Sequence, residues 1–241
     1  MRAAALLAVF VRLAAGPATP GEDLDALLRR LTEHSARVQA LSKSGVTMTT
    51  SSEQLDGKGA VESRSESVER RFEKDGVEIT ELRRFVRDGK DVLAHEKERR
   101  EKASAKSSGK EDTSSRSFRV SSPFTADGLP RYRFTITGPD PEDSALLRVA
   151  FAPLGAASPE LFVGEASVDP ASGTARWIRM RPSKNPRHVT RMDVEMVYGL
   201  ESFGGPALSR VKVSGEGGLL FVKKAYRSES TFSDYGGGAG R

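Results

Sequence analysis

The chain has 241 residues, no cysteine, 38 lysines and arginines against 33 aspartates and glutamates, and a net charge of +5. Lack of cysteine excludes disulfides, thiolate catalysis, cysteine-held zinc or iron–sulfur clusters and a lipid-modified cysteine behind a leader. The balanced charge is that of a solvated surface and not of a nucleic-acid binder, and a mean hydropathy of −0.45 is not that of a membrane-spanning domain.

The first residues, MRAAALLAVFVRLAAGPATP, place Arg2 before an apolar run from Ala3 to Val11 and small residues from Ala14 to Ala18. That order is expected of an export signal over residues 1–20, with Arg12 interrupting it; the other reading is an N-terminal helix. Residues 21–235 then read as a single domain, and 236–241 as a Gly-rich tail. After a Pro-Gly break, Leu24, Leu27, Leu28, Leu31, Val38 and Leu41 recur at helical spacing, with Glu22, Asp23 and Asp25 in the first turn, where the helix dipole favours negative charge. This is an amphipathic helix that must lie on something.

The period then changes to two. Three segments, ending at DGKG, KDG and RDG, predict an antiparallel meander with tight turns. The middle one has only Val61, Val68 and Phe72 as apolar residues, so it is expected at an edge or facing water. Pairs such as Glu96–Arg100 and Glu98–Lys102, four apart, predict a short solvated helix. A Ser-rich loop from Ser104 to Ser117 and an irregular connection around Phe118, Val120 and Phe124 follow.

From Arg131 the alternation returns in RYRFTIT, ALLRVAFAP, LFVGEASVD, TARWIRMRP, RMDVEMVYG, LSRVKVSGEG and GLLFVKKAYRSESTFSDY. That makes nine or ten strands in all, with the GEGG of Gly215–Gly218 read as a turn. The dry faces (Tyr132, Phe134 and Ile136; Met192, Val194 and Met196; Trp177, Ile178, Met180 and Phe221) oppose charged ones, as in an antiparallel sheet with one solvated side. Two helices are little cover for so wide a surface. Either the sheet curls on itself or part of its dry face is open to a ligand.

Catalytic patterns are missing. His34, His95 and His188 are far apart and read as surface or satisfied side chains, and no second metal-type ligand stands at helical or hairpin spacing. There is no Gly-x-Ser-x-Gly elbow or phosphate-binding loop, and the carboxylates alternate with cations as on a solubilising face. The expectation is a non-enzyme with no cofactor and no metal.

The residues from Tyr132 to Tyr235 resemble the periplasmic outer-membrane lipoprotein-sorting and carrier proteins. The likeness rests on YRFTITG, RVAFAP, GEASVDPASGTARWIRMRP with its Val168-Asp169-Pro170 turn and Gly173, MDVEMVYG, and the last strand ending Phe232-Ser233-Asp234-Tyr235. A helix behind an export signal, then a meander, is also that family's order; the charged insertion around Glu96–Ser117 is a departure from it. The resemblance implies an α+β fold: a large bent antiparallel β-sheet, or half-barrel, with the N-terminal amphipathic helix and a short helical lid on its concave side. It also implies a periplasmic protein of envelope biogenesis that binds or transfers lipid or lipoprotein acyl chains. Phe134, Ile136, Trp177, Met180, Met192, Val194, Met196 and Phe221 are then the candidate lining, the methionines adapting to varied chains. Alternation alone leaves open which parity faces inward, and core cannot be told from lining.

The alternative is an envelope scaffold with the same sheet and a filled core, presenting Arg176, Arg179, Arg181, Lys184, Arg187 and Arg191 to a protein or headgroup. The plainer reading of that cluster is a solvated face. A monomer with an envelope protein partner and peripheral contact with a membrane is expected.

Overall fold

The computed structural model describes residues 23–107, 122–202, 205–219 and 222–236. The expected export signal, the Ser-rich loop beyond Ser107, Phe118, Val120 and Phe221, and the end of the tail lie outside the described residues.

The elements run α1 (Leu24–Ser44), β1 (Val46–Leu55), β2 (Val61–Lys74), β3 (Val77–Arg87), β4 (Lys90–Asp91), α2 (Leu93–Ser107), β5 (Tyr132–Pro139), β6 (Leu147–Pro153), β7 (Phe162–Asp169), β8 (Thr174–Pro182), β9 (Val189–Leu200), β10 (Ala207–Leu219) and β11 (Val222–Ser233). All strands join one sheet in the order β4-β3-β2-β1-β11-β10-β9-β8-β7-β6-β5. Every pairing is antiparallel, and β4 does not meet β5, so the sheet is not closed into a barrel. Two meanders, β1–β4 and β5–β11, are stitched together where β1 pairs with β11. Bulges bend the strands at Val68/Glu69, Ser167/Val168 and Glu216/Gly217.

The α1 stripe buries Leu27, Leu31, His34 and Val38, and Asp23 caps its N-terminus by accepting the Asp25 N–H at 3.0 Å. At 21 residues α1 is about 31 Å long, enough to lie across the strands and touch both β8 and β2, which are five places apart in the sheet. Its N-terminal half packs on the β7–β8 turn beside Gly173, and its C-terminal half is tied to β2 by Lys43–Glu73 at 3.0 Å.

The face under α1 is the inner face. There Phe134, Val149, Phe151, Val168, Ile178, Met180, Val194 and Met196 from β5 to β9 form one core with Leu27, Leu31 and Phe124. Further along the same face, on β11 and β1, the register replaces apolar residues by hydroxyls: Ser228 opposite Ser52 and Ser230 opposite Thr50, bonded at 3.0 and 2.8 Å. On the outer face Glu165, Arg179, Glu195, Lys212 and Glu229 stand side by side on β7 to β11. Arg179–Glu195 at 2.8 Å and Lys212–Glu229 at 3.5 Å are paired within that row.

The polar β2 faces water along its first half, one of the two placements expected of it, though it is flanked by β1 and β3 and is no edge strand; its Glu69 and Arg70 are buried. Three expectations need correction. GEGG lies inside β10, because a Cβ on Gly217 would sit 2.2 Å from the His188 carbonyl, so the glycine admits the β8–β9 loop. His34 is buried, only 2% exposed. The carboxylates are not all solubilising. Glu96, 1% exposed, accepts from Arg99 at 2.6 and 2.8 Å and from Arg100 at 3.1 Å, while Arg100 also donates to Glu69 at 2.8 Å. The Arg99 hydrogen bond is the largest influence on Glu96; burial opposes it, Arg100 adds to it, and the carboxyl is held down to about 2. This charged knot fastens α2 over β2 and β3, and the helix runs on to Ser107, past where the Ser-rich loop is expected to begin.

Candidate functional site: a trough along the inner face

Beside the packed core, the inner face of β9, β10, β11 and β1 carries a trough. At the end under α1 it holds a cavity of about 370 Å3 between Val38 of the helix and Tyr198, Leu208, Phe232 and Tyr235, with Arg71 and Glu73 at the rim. At the other end of the strands a cavity of about 410 Å3 is walled by Met192, Val213, Tyr226, Gly215 and Gly217. By register, Val211 and Val213 stand opposite Ser230 and Ser228 and floor the stretch between them. From Phe232 to Tyr226 along β11 is six residues, or about 20 Å at about 3.4 Å per residue.

The local sequence explains the shape. One parity of β10 reads Val211, Val213, Gly215, Gly217, so the floor deepens as side chains vanish toward the strand end. The hydroxyls of Ser52, Ser228, Thr50 and Ser230 are bonded to one another, so that wall is polar in composition yet largely satisfied. Under α1 the Tyr235 hydroxyl donates to the Leu208 carbonyl at 2.9 Å. Burial pushes the Tyr198 hydroxyl up to about 12, against a Ser122 hydrogen bond. Burial likewise raises Tyr235, with Tyr198 adding to the shift and Ser42 opposing it. Both phenols stay protonated at neutral pH and act as walls with hydrogen-bonding tips, not as bases. Among the described residues no three His, Asp or Glu side chains converge as metal ligands.

The structure distributes the eight sequence-predicted residues unevenly. Phe134, Met180, Val194 and Met196 are buried in the core, 2–9% exposed, and Ile136 packs against them. Of the seven that are described, Met192 alone is in the trough cavities, at the lower end. Trp177 is on the outer face, its ring between the guanidinium carbons of Arg148 and Arg179 at 4.5 and 4.4 Å. Trp177 and Met180, three apart on one strand, therefore point to opposite sides. Phe221 lies outside the described residues.

The basic cluster is also split. Arg179 is engaged with Trp177 and Glu195, and Arg191 with Asp193 at 2.6 Å. Lys184 and Arg187 are exposed in the β8–β9 loop, Arg181 is exposed on the outer face, and Arg176 is exposed near the β7–β8 turn. Sequence reasoning missed Leu208, Phe232 and Tyr235. For Phe232 the parity of β11 was the available signal; Leu208 reaches this face only through a bulge before Arg210, and Tyr235 lies beyond the end of β11, so alternation could not mark them.

No protein-family model and no curated protein matches the sequence. Among solved structures the chain is similar to a DUF1329 family protein from Desulfovibrio piger ATCC 29098, with a TM-score of 0.42 and 13% identity over 88% of this chain and 95% of that one. It is also similar to MucB in complex with MucA(peri), with a TM-score of 0.25 and 11% identity over 88% and 94%. The Pseudomonas aeruginosa MucA/MucB complex gives a TM-score of 0.24 and 11% identity over 87% and 94%. Likenesses this slight place the chain in no family.

Proposed function

We propose that this protein is a non-catalytic, exported binding protein of the cell envelope that holds one acyl chain of a lipid or lipoprotein in the inner-face trough. The observation that carries the reading is the trough itself. It consists of two cavities on one face, about 20 Å apart along β11, the upper one roofed by α1 and the lower one walled by Met192 and Val213, with Val211 and the satisfied hydroxyls of Ser228 and Ser230 on the face between them. A slender apolar guest suits it better than a compact polar substrate. Burial of six methylenes there contributes about 5 kcal/mol before ordering costs. The resemblance of the second half to lipoprotein carriers and the expected leader support the same reading. No described helix is long and apolar enough to cross a membrane.

The packed state of Phe134, Met180, Val194 and Met196 favours a second reading, an envelope interaction protein with a filled core. Native mass spectrometry with palmitate and lysophospholipid, below their micellar concentrations, separates the two. The acyl reading expects a one-to-one complex that weakens at least tenfold in Leu208→Trp and Val213→Trp, with unchanged circular dichroism. Absence of any complex, or an affinity unchanged from wild type in both variants, favours the filled-core reading.

A further inference from the structure

Four connections meet at the lower end of the trough, and hydrogen bonds and close approaches show that they are neighbours. Ser183 Oγ of the β8–β9 loop donates to the Ser158 carbonyl of the β6–β7 loop at 3.0 Å. On the other side Gly218 N–H donates to the His188 carbonyl at 2.9 Å, and a Cβ on Gly57 in the β1–β2 turn would lie 3.4 Å from the Lys223 carbonyl. These tips form one contiguous rim.

The rim carries Lys58, Lys184, Arg187 and Lys223, all exposed and, among the described residues, in no ion pair. Acids are present there but mostly engaged. Asp56 accepts the Lys58 and Ala60 N–H groups at 2.8 and 2.9 Å, Glu62 holds Lys224, and Asp193 holds Arg191. Glu160 is likewise engaged, and Glu216 is exposed. Exposed apolar side chains stand among the cations: Leu154 at 57%, Tyr226 at 44% and Val61 at 41%. The lower cavity reaches this rim, with His188, Gly218 and Lys224 in its wall.

We infer that this rim docks the protein on an anionic lipid surface, with the trough mouth facing the bilayer. Unpaired cations beside apolar tips are complementary to anionic headgroups over hydrocarbon, and each cation near such a surface strengthens binding about fivefold. An acidic protein would match the cations but not the bare apolar cavity that opens between them. The inference rests on the acyl-chain reading only for the orientation of the mouth; docking itself needs no guest.

The test is sedimentation of the full chain with phosphatidylcholine vesicles, with and without phosphatidylglycerol, at low and high salt. Binding is expected only to the anionic vesicles and is expected to fall with salt. Lys184→Glu/Lys223→Glu should weaken it about 25-fold or more, whereas Arg29→Glu/Lys74→Glu, with the same charge change away from the rim, should weaken it less than fivefold. Equal losses in both double variants, equal binding to both vesicles, or no binding to vesicles alongside capture of an acidic protein would each overturn the docking. Soluble acyl probes report separately: docking can fail while the trough still binds palmitate, and the reverse.

Discussion

His34 stands between Leu31 and Val38 at the point where the α1 stripe calls for a buried side chain, and it fills that slot with an imidazole. Among the described residues its Nε2 has no hydrogen-bond partner, Tyr198 lies edge-on at 6.5 Å, and Gly205 and Pro206 close over it. Burial lowers its pKa below 6.5 and the nearby Arg37 lowers it further, against a backbone hydrogen bond with Pro206. On acidification the unfolded chain therefore takes up the proton first, so His34 contributes stability above pH 6.5 and loses it as the pH falls toward its folded value. Glu96 and Asp140, both held down to about 2, follow the same logic over a lower range: they stabilise the fold above the ordinary carboxylate range and lose that contribution only as the pH falls toward 2. The urea midpoint should thus fall between pH 7.5 and 5.5 in the wild type, and stay level in His34→Leu. An equal fall in the variant would place the titrating group elsewhere.

At the scale of elements, the β7–β8 turn decides where α1 sits. Gly173 has φ +66°, and a Cβ there would lie 2.3 Å from the Arg30 Cβ, so the turn and the helix meet backbone to backbone. Gly173→Ala should cost about 2 kcal/mol, seen as a drop of about 4–8 °C in Tm. Gly155→Ala, with open space around it, should leave Tm unchanged. Turn chemistry of this kind was legible in the sequence. Asp75-Gly76 and Asp88-Gly89 both take positive φ, as the Asp-Gly signals required for tight hairpins. The Leu stripe of α1 was legible for the same reason, since a helix period repeats over many residues. GEGG was not, because a glycine that admits a loop carbonyl reads the same as one that permits a turn. Nor was the trough. Alternation distinguishes two faces of a strand, but whether Met196 or Met192 is covered depends on where α1 and Phe124 come to rest.

For the whole molecule, the consequential feature is the seam between the two meanders. Nine register pairs, from Thr47 opposite Ser233 to Leu55 opposite Ala225, join the first strand to the last, and α1 crosses the seam to touch both sides. A contact network so continuous should unfold in one step despite the length of the chain, and the single tryptophan offers a clean reporter. Trp177 is in β8, six places from β3, where Leu82 is 7% exposed beneath the α2 cover. Leu82→Ala leaves the surroundings of Trp177 untouched and should cost about 2–4 kcal/mol by cavity formation. If the seam couples the meanders, the Trp177 fluorescence midpoint in urea moves down by the same amount as the circular-dichroism midpoint. If the first meander instead melts by itself, Trp177 keeps its wild-type midpoint while the circular-dichroism curve splits in two. A moved and single transition is the expected result, because removing β3 and β2 would strip α1 of its Lys43–Glu73 anchor and lift the helix from the core that surrounds β8.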